Sequence, residues 1–378
     1  MIYFDNASTT KISDVVLGKM YEFMKTGFAN PSSLHKLGFD VEKEITKARK
    51  IIADSIKATP DEIYFTSGGT EANNTAILGV AEAYKKRGNR VVTMRIEHPS
   101  VTDSYKELEK RGFEVVTLDV DEKGYVNIND IENSLNDDTI LVSIMYVNNE
   151  VGTVQNMEKI YSTIKAKNKN CIFHTDCVQA FCKHSINSKN ADIITMSGHK
   201  IQSAKGVGAM YIKKGVRVNN LHFGGGQEKG FRPGTENTYA IVAMGEACSI
   251  AIKNMEENYK KVSAVRNTLL NITNELDGIY VNGDVENGSP YILNLSFENV
   301  KGEVLLHALE SDDIFVATGS ACSSRAKEKK KIVDYIIDGR GGNAVRFSFS
   351  SENTVEEAEK VVESLKKQVP VLRRFVPR

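Results

Sequence analysis

Seven short runs of β-branched and apolar residues punctuate the first two-thirds of the chain. They are "EIYFTSG" (62–68), "RVVTMRIEH" (90–98), "EVVTLDV" (114–120), "TILVSIMYV" (139–147), "CIFHTD" (171–176), "ADIITMS" (191–197) and "GVGAMYIK" (206–213). The runs are nearly continuous rather than alternating, so both faces of each strand must be covered, as in mainly parallel sheets flanked by helices. Helical patterns separate several of them. "TEANNTAILGVAEAYKKRG" (70–88) sets Ile77, Ala81 and Tyr84 on one face and ends in basic residues and a glycine. "PSVTDSYKELEKRG" (99–112) opens on Pro99, suited to a first helical turn, and aligns Val101, Tyr105 and Leu108. The alternation predicts a wound α/β fold with a mainly parallel seven-stranded sheet.

The pattern changes after about residue 250. A long helical stretch from Tyr239 to Leu276 leads into fewer strands, "YILNLSF" (291–297), "IFVATGS" (314–320) and "AVRFSFS" (344–350). Thr354 and Glu357 have the spacing of a capping box for a last helix. The expected division is a large α/β domain over residues 15–255 and a smaller α+β domain from residues 1–14 and 256–378. A chain of 378 residues is long enough for two cores.

Lysine plus arginine equals aspartate plus glutamate, 49 of each, so no bulk positive field favours nucleic acid or an anionic membrane. The basic run "RAKEKKK" (325–331) is local and reads as a solvated surface. No apolar stretch is long enough to span a bilayer, and the N-terminus has neither a basic start nor a hydrophobic run. Five cysteines in a long chain do not form a disulfide framework, so a reducing, cytoplasmic setting is expected.

Ligands of wound α/β sheets bind where strands end and helices begin. The run at 62–68 ends in Ser67-Gly68-Gly69-Thr70, whose glycines and hydroxyl at a helix start can hold a phosphate; a plain glycine turn capped by Thr70 is an equal alternative. The lysine of a nucleotide-binding P-loop is missing. His98 ends the next run, and Asn148-Asn149-Glu150 ends the one at 139–147. Asp176 closes a buried strand, with Gln179 just beyond; a carboxylate there is costly without a cationic partner. Ser197-Gly198-His199-Lys200 ends the run at 191–197, and a lysine at the end of a core strand also needs a reason. Together these residues offer a phosphate cradle, an aromatic base, a buried carboxylate and a lysine. Pyridoxal 5′-phosphate requires that set: amides and hydroxyls for its phosphate, a lysine for its aldehyde, an aspartate for its pyridine nitrogen and a flat group against its ring.

Cys171, His174, Cys177, Cys182 and His184 crowd into fourteen residues, but their spacing fits no standard zinc pattern, and Cys171 and His174 would leave a strand on opposite faces. Small buried cysteines are the better reading than a structural zinc site. Cys322, in "VATGSACSSRAK" (316–327), is the cysteine set in a glycine-serine loop, and context makes it a candidate nucleophile.

The ordered series "YFDNASTT", "TSGGTEANN", "EHPSV", "VNNEVG", "HTDCVQA", "SGHKIQSAKGVGAMYI", "RPGTEN", "GSACSS" and "VRFSFS" resembles the cysteine desulfurases, pyridoxal-phosphate enzymes of the class V aminotransferase group, over nearly the whole chain. The resemblance implies the transferase fold called fold type I, with the cysteine loop on the smaller domain. It implies that Lys200 carries the cofactor's Schiff base, Asp176 pairs with the pyridine nitrogen and Gln179 bonds the ring hydroxyl. Gly69, Thr70, Ser197 and His199 would hold the phosphate, and Thr235 would reach the phosphate of a neighbouring subunit, which implies a homodimer. His98 would stack on the ring and move protons. Asn149, at the edge of the cofactor site, and Arg346 would bind the substrate carboxylate. Lys200 would take the α-proton of L-cysteine, and Cys322 would take its sulfur as a persulfide while alanine leaves.

Two departures from the family pattern stand out. Its iron–sulfur branch commonly follows the active cysteine with a Glu-Pro-Ser segment, where this chain has "RAKEKKKIVDYI", and alanine is frequent where this chain has Gly69. The first leaves the sulfur acceptor open between an iron–sulfur scaffold, a transfer-RNA thiolation enzyme and another sulfur carrier. No metal ligand is assigned, and a transient iron–sulfur ligand role for Cys322 stays open. The alternatives are a selenocysteine lyase or another class V aminotransferase, and, outside catalysis, a sulfur-transfer scaffold.

Overall fold

The computed structural model describes residues 1–319 and 331–375. Its strands in chain order are β1 (Ile2–Tyr3), β2 (Ile63–Thr66), β3 (Arg90–Met94), β4 (Glu114–Leu118), β5 (Thr139–Ser143) and β6 (Ile172–Asp176). They continue with β7 (Ile193–Ser197), β8 (Gly208–Ile212), β9 (Ile279–Asn282), β10 (Ile292–Phe297), β11 (Ile314–Phe315) and β12 (Ala344–Ser348). The seven runs of the sequence become one seven-stranded sheet in the order β2-β8-β7-β6-β5-β3-β4. Only β8 runs against the rest, antiparallel to both β7 and β2. Every residue of β5, β6, β7 and β8 is buried, which explains their unbroken apolar character. One face packs on helices Gly69–Tyr84 and Pro99–Lys110 through Ala76, Ile77, Val80, Val101 and Tyr105. The other packs on a core containing Ile45, Ile52, Phe173, Phe181 and Met244. Each large side chain so buried contributes roughly 1.5–3 kcal/mol relative to exposure.

β9, β10 and β12 form a separate antiparallel sheet in the order β12-β10-β9. Its core joins Phe4 to Val262, Leu295, Leu305, Phe347 and Val361. The last helix, Val355–Leu372, starts with the capping box of Thr354 and Glu357: Glu357 N–H donates to Thr354 Oγ1 at 3.3 Å, and Thr354 N–H donates to Glu357 Oε2 at 3.2 Å. No helix among the described residues is long and apolar enough to cross a membrane.

Strand ends differ from the sequence pattern in a consistent way. The run at 90–98 stays paired only to Met94, opposite Leu118; the chain then leaves the ladder to make His98 the N-cap of the helix that Pro99 opens. Within the run at 314–320, the ladder with β1 covers Ile314–Phe315, since β1 offers just Ile2 and Tyr3 as partners, and Ala317 then bridges to Arg346. The helical stretch from Tyr239 to Leu276 breaks at Asn254, which caps the C-terminus of one helix through its N–H bonds to Ile250 and Ile252 and begins the next.

Candidate active site

Strands β2, β3, β5, β6 and β7 run in one direction, so Gly68, His98, Asn149, Asp176 and Lys200 emerge at one edge of the sheet. The adjacency of β6 and β7 puts Asp176 opposite Thr195, and the antiparallel β8 threads between β7 and β2 so that Gly208 faces both Ser197 and Thr66.

That crossing explains the glycines. Gly68 has φ +154° and ψ −176°, a combination open to glycine, and a Cβ on Gly208 would lie 2.7 Å from Gly68 Cα. Gly68 then starts helix Gly69–Tyr84 without a side-chain cap. A Cβ on Gly69 would lie 2.8 Å from Val178 Cγ2, so Val178 fills the space an alanine methyl would take. Ser197 Oγ is buried beside this turn with no hydrogen-bond partner. An unpartnered hydroxyl facing uncapped amides at a helix N-terminus suits a phosphate, with Thr70 at the second helical position. The imidazole of His199 is half-buried, its Nδ1 3.1 Å from Thr9 Oγ1. Burial pushes its pKa down to about 4, with Lys200 adding to the effect, so it is neutral and can meet the anion only as a hydrogen-bonding group.

Asp176 is 4% exposed, and no ion pair among the described residues includes it. Its Oδ1 accepts from Val178 N–H at 2.8 Å, and its Oδ2 accepts from Asn73 Nδ2 at 2.6 Å. A buried carboxylate held this way lacks only a cation, which a protonated pyridine nitrogen supplies. Asn73 also donates to Ser100 Oγ at 2.9 Å and accepts from Thr195 Oγ1 at 2.5 Å. Ser100 Oγ lies 2.8 Å from His98 Nδ1, which accepts the Ser100 N–H at 3.1 Å. His98 Nδ1 is therefore an acceptor, and its ring proton belongs on Nε2. Burial lowers the pKa of His98; Asp176 opposes this and Lys200 adds to it. Asn73 thus fixes Asp176 directly and His98 through Ser100.

Lys200 is tied to the N-terminal segment: Nζ donates to the carbonyls of Ala7 and, at 2.7 Å, Ser8. Gln179 Nε2 donates to the same Ala7 carbonyl at 2.9 Å, and its Oε1 is buried without a partner. Burial, reinforced by the charges of Arg346 and Lys183, pushes the Lys200 pKa down to about 7. An amine with that value is a competent base near neutral pH.

Arg346 is 1% exposed and already engaged. Nη2 donates to Asp5 Oδ1 at 2.9 Å and Ser8 Oγ at 2.8 Å; Nη1 donates to Asn149 O at 2.9 Å and Glu150 Oε1 at 3.0 Å. Arg346 Nε and Asn149 Oδ1 are buried and unpartnered. In this arrangement a further carboxylate finds only Nε free, and a two-pronged grip requires Asp5 or Glu150 to give way.

Thr235 is exposed in the loop before helix Thr238–Lys253. That loop is pinned by Arg232, whose Nε donates to Glu71 at 2.9 Å, and by Glu228, which bonds Arg49 at 2.7 and 2.8 Å. Cys322 lies outside the described residues. The segment containing it departs from Thr318 and Gly319 and returns at Lys331, and these flanks line a small cavity with Glu150. The other four cysteines are all buried.

The sequence reading missed Asn73, Ser100, Thr195 and the carbonyls of Ala7 and Ser8. Asn73-Asn74 and the small polar run "DNASTT" were the available signals. An Asn73→Ala variant is expected to lower turnover about 10²-fold by loosening both Asp176 and His98; steady-state rates, with thermal melting as the control for folding, check this.

Residues 2–361 match the family model for aminotransferase class-V. The chain is similar to a cysteine desulfurase IscS of Clostridium botulinum, 40% identical over 383 residues covering 100% of this chain and 96% of the relative. An IscS from Escherichia coli O139:H28 is 39% identical over 385 residues, covering 100% of this chain and 94% of that one. Among solved structures, a NifS-like protein superimposes with a TM-score of 0.92 and 34% identity over 98% of this chain and 99% of the other. SspA in complex with cysteine gives 0.82 and 32% identity over 93% and 99%.

Proposed function

The chain belongs to the class V aminotransferases and, within them, to the cysteine desulfurases, and we propose that Lys200, His98 and Cys322 carry its reaction on L-cysteine. The single observation behind this assignment is the convergence at one sheet edge of the Asp176 carboxylate without a cation, Ser197 Oγ without a partner and a buried Lys200 amine of lowered pKa. The cofactor of the family is pyridoxal 5′-phosphate, which when bound supplies an aldehyde for the substrate amine and a protonated ring that draws electrons from the α-carbon. Lys200 would hold it through its amine, Asp176 would pair with its ring nitrogen and Gln179 would bond its ring hydroxyl. Gly69, Thr70, Ser197 and His199 would hold its phosphate, and His98 and Asn149 would contact it beside the ring.

Lys200, freed by the substrate amine, accepts the α-proton and later returns it to carbon. His98, proton on Nε2, exchanges a proton with the reacting molecule while its Nδ1 stays fixed on Ser100. Arg346 Nε and Asn149 orient the substrate carboxylate. The Cys322 thiolate attacks the substrate sulfur: an S–S bond forms, the Cβ–S bond breaks, Cβ is protonated, and alanine leaves with the sulfur on Cys322 as a persulfide.

A homodimer completes the phosphate site with Thr235 of the second copy. Tyr21, Met24, Phe28, Leu34, Phe39 and Phe223, all exposed apolar groups, supply a surface for it. The division into domains at residues 14/15 and 255/256 is supported by the helix break at Asn254 and by the separate core around Phe4 and Leu295. We place the sulfur acceptor among iron–sulfur scaffolds and transfer-RNA thiolation enzymes. The test is incubation of the cofactor-loaded protein with L-cysteine and a thiol reductant: alanine and sulfide in equal amounts are expected, and a colourless protein releasing neither would refute the assignment.

A further inference from the structure

Lys183 follows the active strand β6 yet has no part in the reaction above. It is 8% exposed, and among the described residues no carboxylate pairs with it; its ammonium lies 5.4 Å from the centre of the Tyr291 ring. A buried cation without a counter-ion is costly, and burial pushes its pKa down to about 8.

The side chain lines two spaces. One is an outer cleft of about 280 Å³ walled by His184, Ser185, Met255, Glu256, Tyr259 and Lys260. The other is an inner cavity of about 30 Å³ that Lys183 shares with Lys200. The inner wall also carries Thr10, Gln202, Asn258 and Ser350. A polar cavity of this size accommodates water.

Arg346 also disfavours a proton on Lys200, but its charge is paired within the site while that of Lys183 is not. Arg346 is bound by Asp5 and Glu150. His98 and His199 are neutral near pH 7, their pKa values lowered first by burial. Asp5 and Asp176 act in the opposite sense, favouring a proton on Lys200. Around Lys183 itself, the Cys182 thiol is held protonated by burial, as is the Tyr291 hydroxyl; His184 is neutral, with a pKa of about 4, and Glu256, Tyr259 and Lys260 face the outer cleft.

We propose that Lys183 is a positioning residue for the reaction: its uncompensated charge, acting across the shared inner cavity, keeps the nitrogen of Lys200 from holding a proton at rest. This rests on the reading of Lys200 as the cofactor lysine. Lys183 touches neither substrate nor cofactor; it acts through the field it imposes on Lys200. Its charge is greatest below its own pKa, so the device works at neutral pH and fades in alkali.

The test is a pH titration of the visible cofactor band in the purified holoenzyme, compared among wild type, Lys183→Gln, Lys183→Met and Lys183→Arg. Loss of the positive charge makes protonation at Lys200 easier, so the midpoint of the Gln and Met variants moves up by roughly half to one pH unit. Lys183→Arg keeps the charge and keeps the wild-type midpoint. If Lys183→Met does not fold, the Gln variant carries the comparison. A midpoint unmoved in the neutral variants overturns the inference, as does an equal shift in Lys183→Arg, which would mark a packing effect. A wild-type protein with no such band overturns the cofactor reading of Lys200 itself, a separate failure.

Discussion

Lys200→Ala is expected to reduce alanine formation from L-cysteine by at least about 10³-fold. The loss has two sources. The variant cannot hold the cofactor through an amine, and it has no base placed for the α-proton. The fold around the position does not depend on the side chain: the turn Gly198–Lys200 is fixed by backbone bonds from Gly198 N–H to Val207 O and from Ile201 N–H to Gly198 O. The Lys200 ammonium is moreover costly where it lies, as the lowering of its pKa to about 7 by burial shows. Melting temperature is therefore expected to change little while turnover disappears. Retention of a tenth or more of wild-type activity would remove Lys200 from its assigned role.

Cys322→Ser is expected to abolish sulfide release while leaving the cofactor spectrum, and its response to added cysteine, intact. The expectation draws on the other thiols as well as on the loop motif. Cys171, Cys177, Cys182 and Cys248 are buried. Burial pushes Cys171 up to about 12 and also raises Cys177 and Cys182, so these three stay thiols at neutral pH. Cys248 lies 3.5 Å from Cys182, inside the core. Those three are therefore not nucleophiles at neutral pH, and Cys248, whose pKa the Cys182 hydrogen bond lowers, is enclosed in the core. The substitution also separates a desulfurase from an aminotransferase, because transfer of an amino group needs no thiol at 322. Sulfide release at the wild-type rate from Cys322→Ser would exclude it as the nucleophile.

The parts of this molecule legible in the sequence are those with a one-dimensional signature. β5 to β8 showed as unbroken apolar runs because both faces of the sheet are covered. Asp176, His98 and Lys200 showed because each is a polar residue where such a run stops. Asn73 did not: it lies inside a helical pattern next to Asn74, and only the crossing of that helix over β6 and β7 decides that Asn73 meets Asp176 while Asn74 bonds Ser100 O. The hold on Lys200 was hidden for a different reason, since its partners are main-chain carbonyls of Ala7 and Ser8, which any residue provides. Arg346 entered only through the family resemblance, and its engagement with Asp5 and Glu150 joins positions 341 and 196 residues apart in the chain.

The central claim is that the side chain of Lys200 bears the cofactor. Borohydride reduction of the holoenzyme followed by peptide mass analysis tests it most directly. The account predicts a pyridoxyl adduct on the peptide containing Lys200 and on no other lysine. An unmodified Lys200 after saturation with pyridoxal 5′-phosphate, or an adduct at Lys183 in its place, would contradict it.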